Sequence, residues 1–240
     1  SQFELQEVRT ACPGVRVLHV AKYQELPDLE ECQVTVTAES RSRRKLYQVE
    51  TSRQAVAQSF GEDYLSFLRQ CEIQLRISRL TEDNLERVHE LTTRTNQMNF
   101  SGNRYDRDVL RKVIGTPYLD TYVIACEDRF GSYGVIGFSV VDQREPRMID
   151  LMFSCRIQSK RIEHAFLVFI IRKYFKESER DFLASYRKTK KNAPSGRVFA
   201  DLGMQEVENV DGVSLLSFPR NQVPPDRKST RLNSSHVALS

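Results

Sequence analysis

The sequence predicts an α+β protein: one mixed sheet flanked by helices over residues 72–219, preceded by an incomplete α/β piece over residues 1–70. Three observations carry this. EIQLRISRL, residues 72–80, alternates apolar and charged side chains as a half-buried strand does. TYVIACEDRFGSYGVIGFSVVD, residues 121–142, holds two apolar runs around a turn rich in Gly and Asp, the pattern of a hairpin. A third strand-like run, residues 148–153, feeds an apolar helix over 161–175 through the short turn SCRIQSKRIEH.

Composition sets the outer limits. The chain has 240 residues, 40% hydrophobic and 28% charged, which suits one large or two small domains. Its longest apolar run, residues 165–171, is far too short for a bilayer span, so no membrane partner is expected. The N-terminus SQFELQEVR is amphipathic and charged, unlike a secretory signal. Cys12, Cys32, Cys71, Cys126 and Cys155 form no CxxC pair and sit near no histidine cluster. A disulfide framework and a zinc site are therefore not expected, and a reducing cytoplasm is.

The net charge of +4 raises the question of a nucleic-acid partner. The last fifteen residues, DRKSTRLNSSHVALS, have no hydrophobic period, and the first eleven match the translation of a sequencing-adapter oligonucleotide. Residues 226–240 are therefore read as an artefact within a tail, 220–240, expected to lack regular structure. Arg227, Lys228 and Arg231 against Asp226 give that stretch +2, which leaves +2 for the rest. No nucleic-acid partner is expected from so ordinary a balance.

The elements follow in order. Residues 3–12 have helical spacing, and Pro13 and Gly14 lead into VRVLHV, residues 15–20, a short β-rich run. Good helix formers run to Gln58 from Thr37 as N-cap, and their alternating Arg and Glu read as a solvated face. TEDNLERVHELTTRT is an amphipathic helix capped at Thr81, with Leu85, Val88 and Leu91 on one face. DRDVLRKVIG is another, ended by Gly115. After the hairpin, third strand and apolar helix come the strand FLASYR, a short helix around Val198 and Phe199, and two last strands.

Four segments carry a resemblance. LTTRTNQMNFSGNRY, DRFGSYGVIG, MFSCRIQSKRIEHAFL and KKNAPSGRVFADLGM are together similar to the C-terminal, GNAT-like half of FkbH-like proteins. Upstream, FELQEVRTACPGVRVLHV and VTVTAESRSRRKLY resemble the tail end of the haloacid dehalogenase (HAD) subfamily IIIC phosphatase domain that precedes it in that family. The resemblance implies a GNAT-like acyltransferase domain over 72–219 and a phosphatase-domain remnant over 1–70, so that the chain reads as a C-terminal fragment. It implies an acyl carrier protein as partner, a phosphopantetheine thioester as substrate arm and a small phosphorylated acyl donor. Mg²⁺ and an aspartate nucleophile belong to the phosphatase half, whose DxD-type loop has no counterpart here. Glu39 and Arg43 match that half's late acidic and basic positions, with Ser40 where an aspartate is usual. Asp120, Asp128, Asp142 and Asp150 all fall in the acyltransferase-like half, and Asp150 reads as a strand residue.

Candidate site residues centre on the turn. Arg156, Ser159 and Arg161 occupy the three places of the GNAT-type pattern RxxGxG/A, with serine and arginine where glycines stand. The turn is expected to hold an anion, with Lys160 and Arg161 attracting phosphate, or else to present two solvated cations. Cys155, near a helix N-terminus and beside Arg156, suits an acyl acceptor, or else an inert strand-end cysteine. His164 on the following helix is the base in sequence reach. Asn96, Gln97 and Asn99 offer amides to a substrate, or else satisfy a helix end. Asn192 is placed near the cofactor by the GNAT pattern N-x₆-Y, in which Phe199 replaces the acid tyrosine. An acyl-thioester enzyme, a docking module without chemistry, and an acetyl-CoA-dependent N-acetyltransferase remain as alternatives.

Overall fold

The computed structural model describes residues 1–33, 43–58, 60–61, 63–222 and 237–239. The chain divides into two compact units, Ser1–Arg41 and Ser42–Ser240. The first holds helix α1 (Gln2–Ala11), opened by a capping box between Ser1 and Glu4, and 3₁₀ stretches at Val20–Asp28 and Glu30–Cys32. None of its described residues is buried. VRVLHV forms no strand, contrary to expectation: an isolated β-rich run with no partner edge has nothing to satisfy its backbone.

The second unit runs α2 (Arg43–Gln58), α3 (Tyr64–Gln70), β1 (Gln74–Ser78), α4 (Glu82–Arg94), α5 (Arg107–Ile114), β2 (Leu119–Asp128), β3 (Gly131–Asp142) and β4 (Arg147–Phe153). It continues with α6 (Ile162–Glu177), β5 (Phe182–Arg187), α7 (Arg197–Leu202), β6 (Gln205–Val210), β7 (Val213–Phe218) and β8 (Val237–Leu239). The sheet order is β6-β7-β5-β4-β3-β2-β1-β8. All neighbours are antiparallel except β4 with β5 and β1 with β8. This is the mixed, helix-flanked α+β sheet expected from the sequence.

Burial explains the layers. Leu85, Val88 and Leu91 of α4 and Leu110 and Val113 of α5 pack with Val123, Phe138, Val140 and Met152 on one face. The other face buries Ile162, Phe166 and Ile170 of α6, Phe199 of α7 and Phe67 of α3 against Leu75, Ile77, Ile124 and Phe153. Asn84 accepts from the Thr81 N–H at 3.0 Å, fixing the start of α4 where the sequence placed it.

Four expectations need correction. The division falls after Arg41 rather than near residue 70, because α2 is bound to the sheet by charge. Arg53, its side chain 3% exposed, donates to both Asp128 oxygens at 2.7 and 2.9 Å and to the Gly131 carbonyl at 3.0 Å. So this part of the Arg/Glu alternation is a buried anchor, not a solvated face. Glu39 and the Thr37 cap lie outside the described residues, as does the side chain of Arg43. The tail begins later than residue 220: Arg220 donates to the Phe175 carbonyl at 2.8 Å, and its N–H to Asp181 at 2.9 Å. Within the tail, Val237–Leu239 pair in parallel with β1, whose outer edge otherwise offers unpaired backbone groups. Residues 223–236 and 240 lie outside the described ones.

Candidate functional site

The parallel pair β4–β5 is joined only at Arg147–Leu183 and Met148–Ala184, after which the strands diverge. Diverging strands leave two rows of backbone groups that must find partners. The segment after α4 supplies them. The Phe100 N–H donates to the Leu151 carbonyl at 3.0 Å, and the Phe153 N–H to the Met98 carbonyl at 2.9 Å. On the β5 side, the Arg187 N–H donates to the Phe100 carbonyl at 2.9 Å. Residues 98–100 thus form a strap between the two strands, with Met98 and Phe100 buried and the Phe100 ring edge-on to Phe199 at 5.5 Å.

The strap accounts for two predicted ligand-binding amides. The Asn99 side chain accepts from the Gly102 N–H at 2.8 Å and donates to the Asn103 carbonyl at 2.8 Å, shaping the loop itself. Asn192, fully buried, donates to the Asn99 and Arg187 carbonyls at 2.7 and 2.9 Å and accepts from the Thr189 N–H at 2.8 Å. With these bonds made, both serve the fold rather than a ligand. Asn96 accepts from Arg104 at 2.5 Å. Gln97 is exposed and has no hydrogen-bond partner among the described residues. It adjoins Met98, whose carbonyl receives the N–H of Phe153 two residues before Cys155.

Asp150, in the middle of β4, is the buried acid that sequence reasoning passed over as a strand residue. Ser101 and Tyr105 donate to it in short bonds, and Asn103 does so at 3.0 and 3.1 Å. Burial pushes its carboxyl up, and these bonds recover only part of the shift. It clasps the loop after the strap onto β4. A carboxyl raised on folding stabilises fully below its unfolded value and loses that contribution as pH rises through the folded one. Asp150→Asn, which mimics the neutral acid, is therefore expected to remove a decline of stability with rising pH, read from urea midpoints across a pH series. An unchanged pH profile would show that the clasp is not proton-linked.

Beyond β4 the chain turns. The Ser154 N–H donates to the Ile136 carbonyl at 2.7 Å, and the Ser154 hydroxyl accepts from Arg156 Nε at 3.0 Å. Cys155–Ile157 form a 3₁₀ turn held down by the buried Ile157. Cys155 is exposed, so its thiol is not in the sheet core, but α6 begins seven residues later and the thiol does not sit at that helix's start. Cys71 and Cys126, by contrast, are buried, and burial pushes their thiols up to about 11 and about 12.

Ser159 and Arg161 have the left-handed backbone that glycine favours, with φ of 67° and 56°. Among the described residues no acceptor takes the N–H of Ser159, of Arg161 or of the first three residues of α6. Left-handed backbone costs a non-glycine residue about 1–2 kcal/mol. Ser159→Gly is accordingly expected to raise stability by about 1 kcal/mol in urea unfolding at unchanged slope, and a loss would mean that the serine side chain holds the turn.

Two predicted partners of this turn are engaged elsewhere. Lys160 lies 3.2 Å from Glu50 of α2 with its side chain 10% exposed, so it anchors α2 rather than awaiting phosphate. His164 sits between Glu163 at 3.3 Å and Asp201 of α7 at 3.2 Å and makes no hydrogen bond to Cys155. Burial alone would lower its pKa, but the two carboxylates outweigh that and raise it. Glu163, buried in the first turn of α6, brings a carboxylate to the same helix end. Arg161 is half-buried, and its side chain has no partner among the described residues. Among the described residues no group of three or more His, Cys, Asp or Glu is placed to hold a metal ion. No described helix is long and apolar enough to cross a membrane.

No protein-family model matches the sequence, and no curated protein does. Solved structures do match. A domain from Methanocaldococcus jannaschii is 12% identical with a TM-score of 0.51, covering 61% of this chain and 98% of its own. The spermidine N-acetyltransferase from Vibrio cholerae, in complex with CoA and spermine, is 15% identical with a TM-score of 0.49, covering 62% and 98%. The ribosomal-protein-S18-alanine N-acetyltransferase from Escherichia coli is 12% identical with a TM-score of 0.47, covering 64% and 98%. At such identities the likeness is one of fold. With the element and strand order above, the sheet unit is a mixed-sheet α+β domain whose fold resembles that of the Methanocaldococcus jannaschii domain.

Proposed function

We propose that the sheet unit handles an acyl group as a thioester on Cys155, in the manner of FkbH-like acyltransferases, exchanging it with the phosphopantetheine arm of an acyl carrier protein. The observation that carries this reading is the exposed Cys155, directly after β4 and beside a turn in which the N–H groups of Ser159 and Arg161 have no acceptor among the described residues. In the exchange, the Cys155 sulfur attacks the thioester carbonyl, a new C–S bond forms, and the bond to the pantetheine sulfur breaks. The departing thiolate takes up the proton that Cys155 gives to solvent. One thioester replaces another, so Cys155 can receive an acyl group from a carrier or pass one on, the original donor being a small phosphorylated acyl compound. Free cysteines agree with a reducing, cytoplasmic setting.

The strap bears on the route. Amide groups of an arm laid between β4 and β5 would compete with residues 98–100 for the same backbone partners, so the reading places the exchange at the outer mouth of the gap. A second reading, an acetyl-CoA-dependent N-acetyltransferase, draws on Tyr186. Its ring lies 5.3 Å from Phe199 and its hydroxyl donates to Asn192 Oδ1 at 3.4 Å, so a phenol stands beside the position where Phe199 has no proton to give.

The test is the intact mass of the protein after incubation with an acyl-thioester carrier protein. The native chain is expected to gain one acyl group and Cys155→Ala none. No gain by the native chain would leave the docking-module reading, and transfer from acetyl-CoA to an amine would favour the second.

A further inference from the structure

At the end of the sheet opposite Cys155 lies an open cavity of about 370 Å³, whose lining includes Arg79, Asp120, Pro146, Lys173, Tyr174 and Glu177. Arg79 directly follows β1, Asp120 lies at the start of β2, Pro146 precedes β4, and the other three belong to the last turns of α6. The Cys155 turn, by contrast, leaves the far end of β4 and leads into the start of α6. Asp120 is the centre of the cavity's chemistry, with its side chain 3% exposed. Its Oδ2 accepts from Tyr174 at 2.7 Å, Lys173 at 2.9 Å and Tyr122 at 3.1 Å. Burial would raise this carboxyl, but the bonds from Lys173 and Tyr174 prevail and hold it below its ordinary value, so it is a carboxylate. Its Oδ1 is buried and accepts no hydrogen bond among the described residues. Arg79 stands 2.6 Å from that oxygen, near enough for an ion pair but not aligned as a hydrogen bond. The Arg79 side chain is 64% exposed and makes no hydrogen bond among the described residues. Glu177 lies 3.8 Å from Lys173, beyond hydrogen-bond reach, so its oxygens are open as well. The charges of Arg79 and Lys173 balance those of Asp120 and Glu177, and a ligand that keeps this balance carries either no charge or both signs.

We propose that this cavity binds a small zwitterion of the free α-amino acid class, with its ammonium on Asp120 Oδ1 and Glu177 and its carboxylate on Arg79. An ammonium supplies the N–H that Asp120 Oδ1 lacks, and the C-terminal end of α6 favours a cation beside it. A carboxylate matches the guanidinium fork in two parallel bonds, and Arg79 gives up no hydrogen bond in turning to it. Lys173 meanwhile stays with Asp120 and Tyr122, at 2.9 and 2.8 Å. A lone anion would leave Asp120 Oδ1 without a donor. A lone amine would displace Arg79 from its one ion pair among the described residues and give it nothing in return. The cavity shares no residue with the Cys155 turn, so the proposal stands or falls apart from acyl exchange.

The test is isothermal titration calorimetry of the full chain with each of the common L-α-amino acids. Those that bind are compared with their N-acetyl and amide derivatives, which lack the ammonium and the carboxylate respectively. At least one amino acid is expected to bind, and each of its derivatives to bind about tenfold more weakly or worse. Binding by no amino acid, or equal binding by either derivative, overturns the proposal. Variants at exposed side chains, which leave the core intact, locate the ligand. Arg79→Met and Glu177→Gln are expected to weaken binding about tenfold each, as the loss of a charge-assisted contact does. Lys112→Met, which removes an exposed cation of α5 outside the cavity, is expected to leave binding unchanged. Retained affinity in Arg79→Met, or an equal fall in Lys112→Met, overturns the placement. Should Arg79→Met fail to fold, retained affinity in Glu177→Gln overturns it instead.

Discussion

Replacing Phe100 by Ala is expected to lower stability by about 3–5 kcal/mol, the range for emptying a buried phenylalanine site. Its ring is fully buried and edge-on to Phe199, while its N–H and carbonyl bond to Leu151 of β4 and Arg187 of β5. The substitution removes the ring that presses the strap into the gap, so the loss should exceed that of an ordinary surface-loop change. Urea unfolding at constant slope reads it. A loss below about 1 kcal/mol would show that the strap is a loosely held loop and that the gap between the strands is open to an incoming arm.

Arg53→Leu is expected to cost a similar amount, about 3–5 kcal/mol, because it strands the buried Asp128 carboxylate without its partner. Asp128 also accepts from Tyr133 at 2.8 Å and from the N–H groups of Phe130 and Gly131, so its charge is built into the hairpin turn. Burial would raise this carboxyl, but the bonds from Arg53 and Tyr133 prevail and hold it below its ordinary value. A carboxyl depressed on folding gives stability that is present above its unfolded pKa and is lost as pH falls through the folded one. Native stability should therefore decline on acidification, and the variant should show less of that decline. Equal acid sensitivity in the two proteins would place the titrating group elsewhere.

The parts of the fold that were legible in the sequence are those set by local periodicity. Leu85, Val88 and Leu91 marked α4, Thr81 its start, and the apolar runs around residues 128–131 the hairpin. What escaped depends on partners far apart in the chain. Nothing local distinguishes Arg53, paired across 75 residues with Asp128, from the other arginines of its helix. The strap had a signal that was not used, since Gln97, Met98, Asn99 and Phe100 alternate polar and apolar as a strand does. Asp150 had one too, as a lone carboxylate within MIDLMF. At the turn, nothing local in the sequence marks the left-handed backbone that Ser159 and Arg161 adopt; only the structure shows it.

The account turns on one thiol. After incubation of the full chain with an acyl-thioester carrier protein, tryptic digestion cuts at Arg147 and Arg156 and releases residues 148–156, which contain Cys155 as their single cysteine. Tandem mass spectrometry is predicted to place the acyl group on Cys155 of that peptide, with the peptides carrying the exposed Cys12 and Cys32 unmodified. Acyl mass on Cys12 or Cys32 in equal amount, or on no cysteine at all, would contradict it.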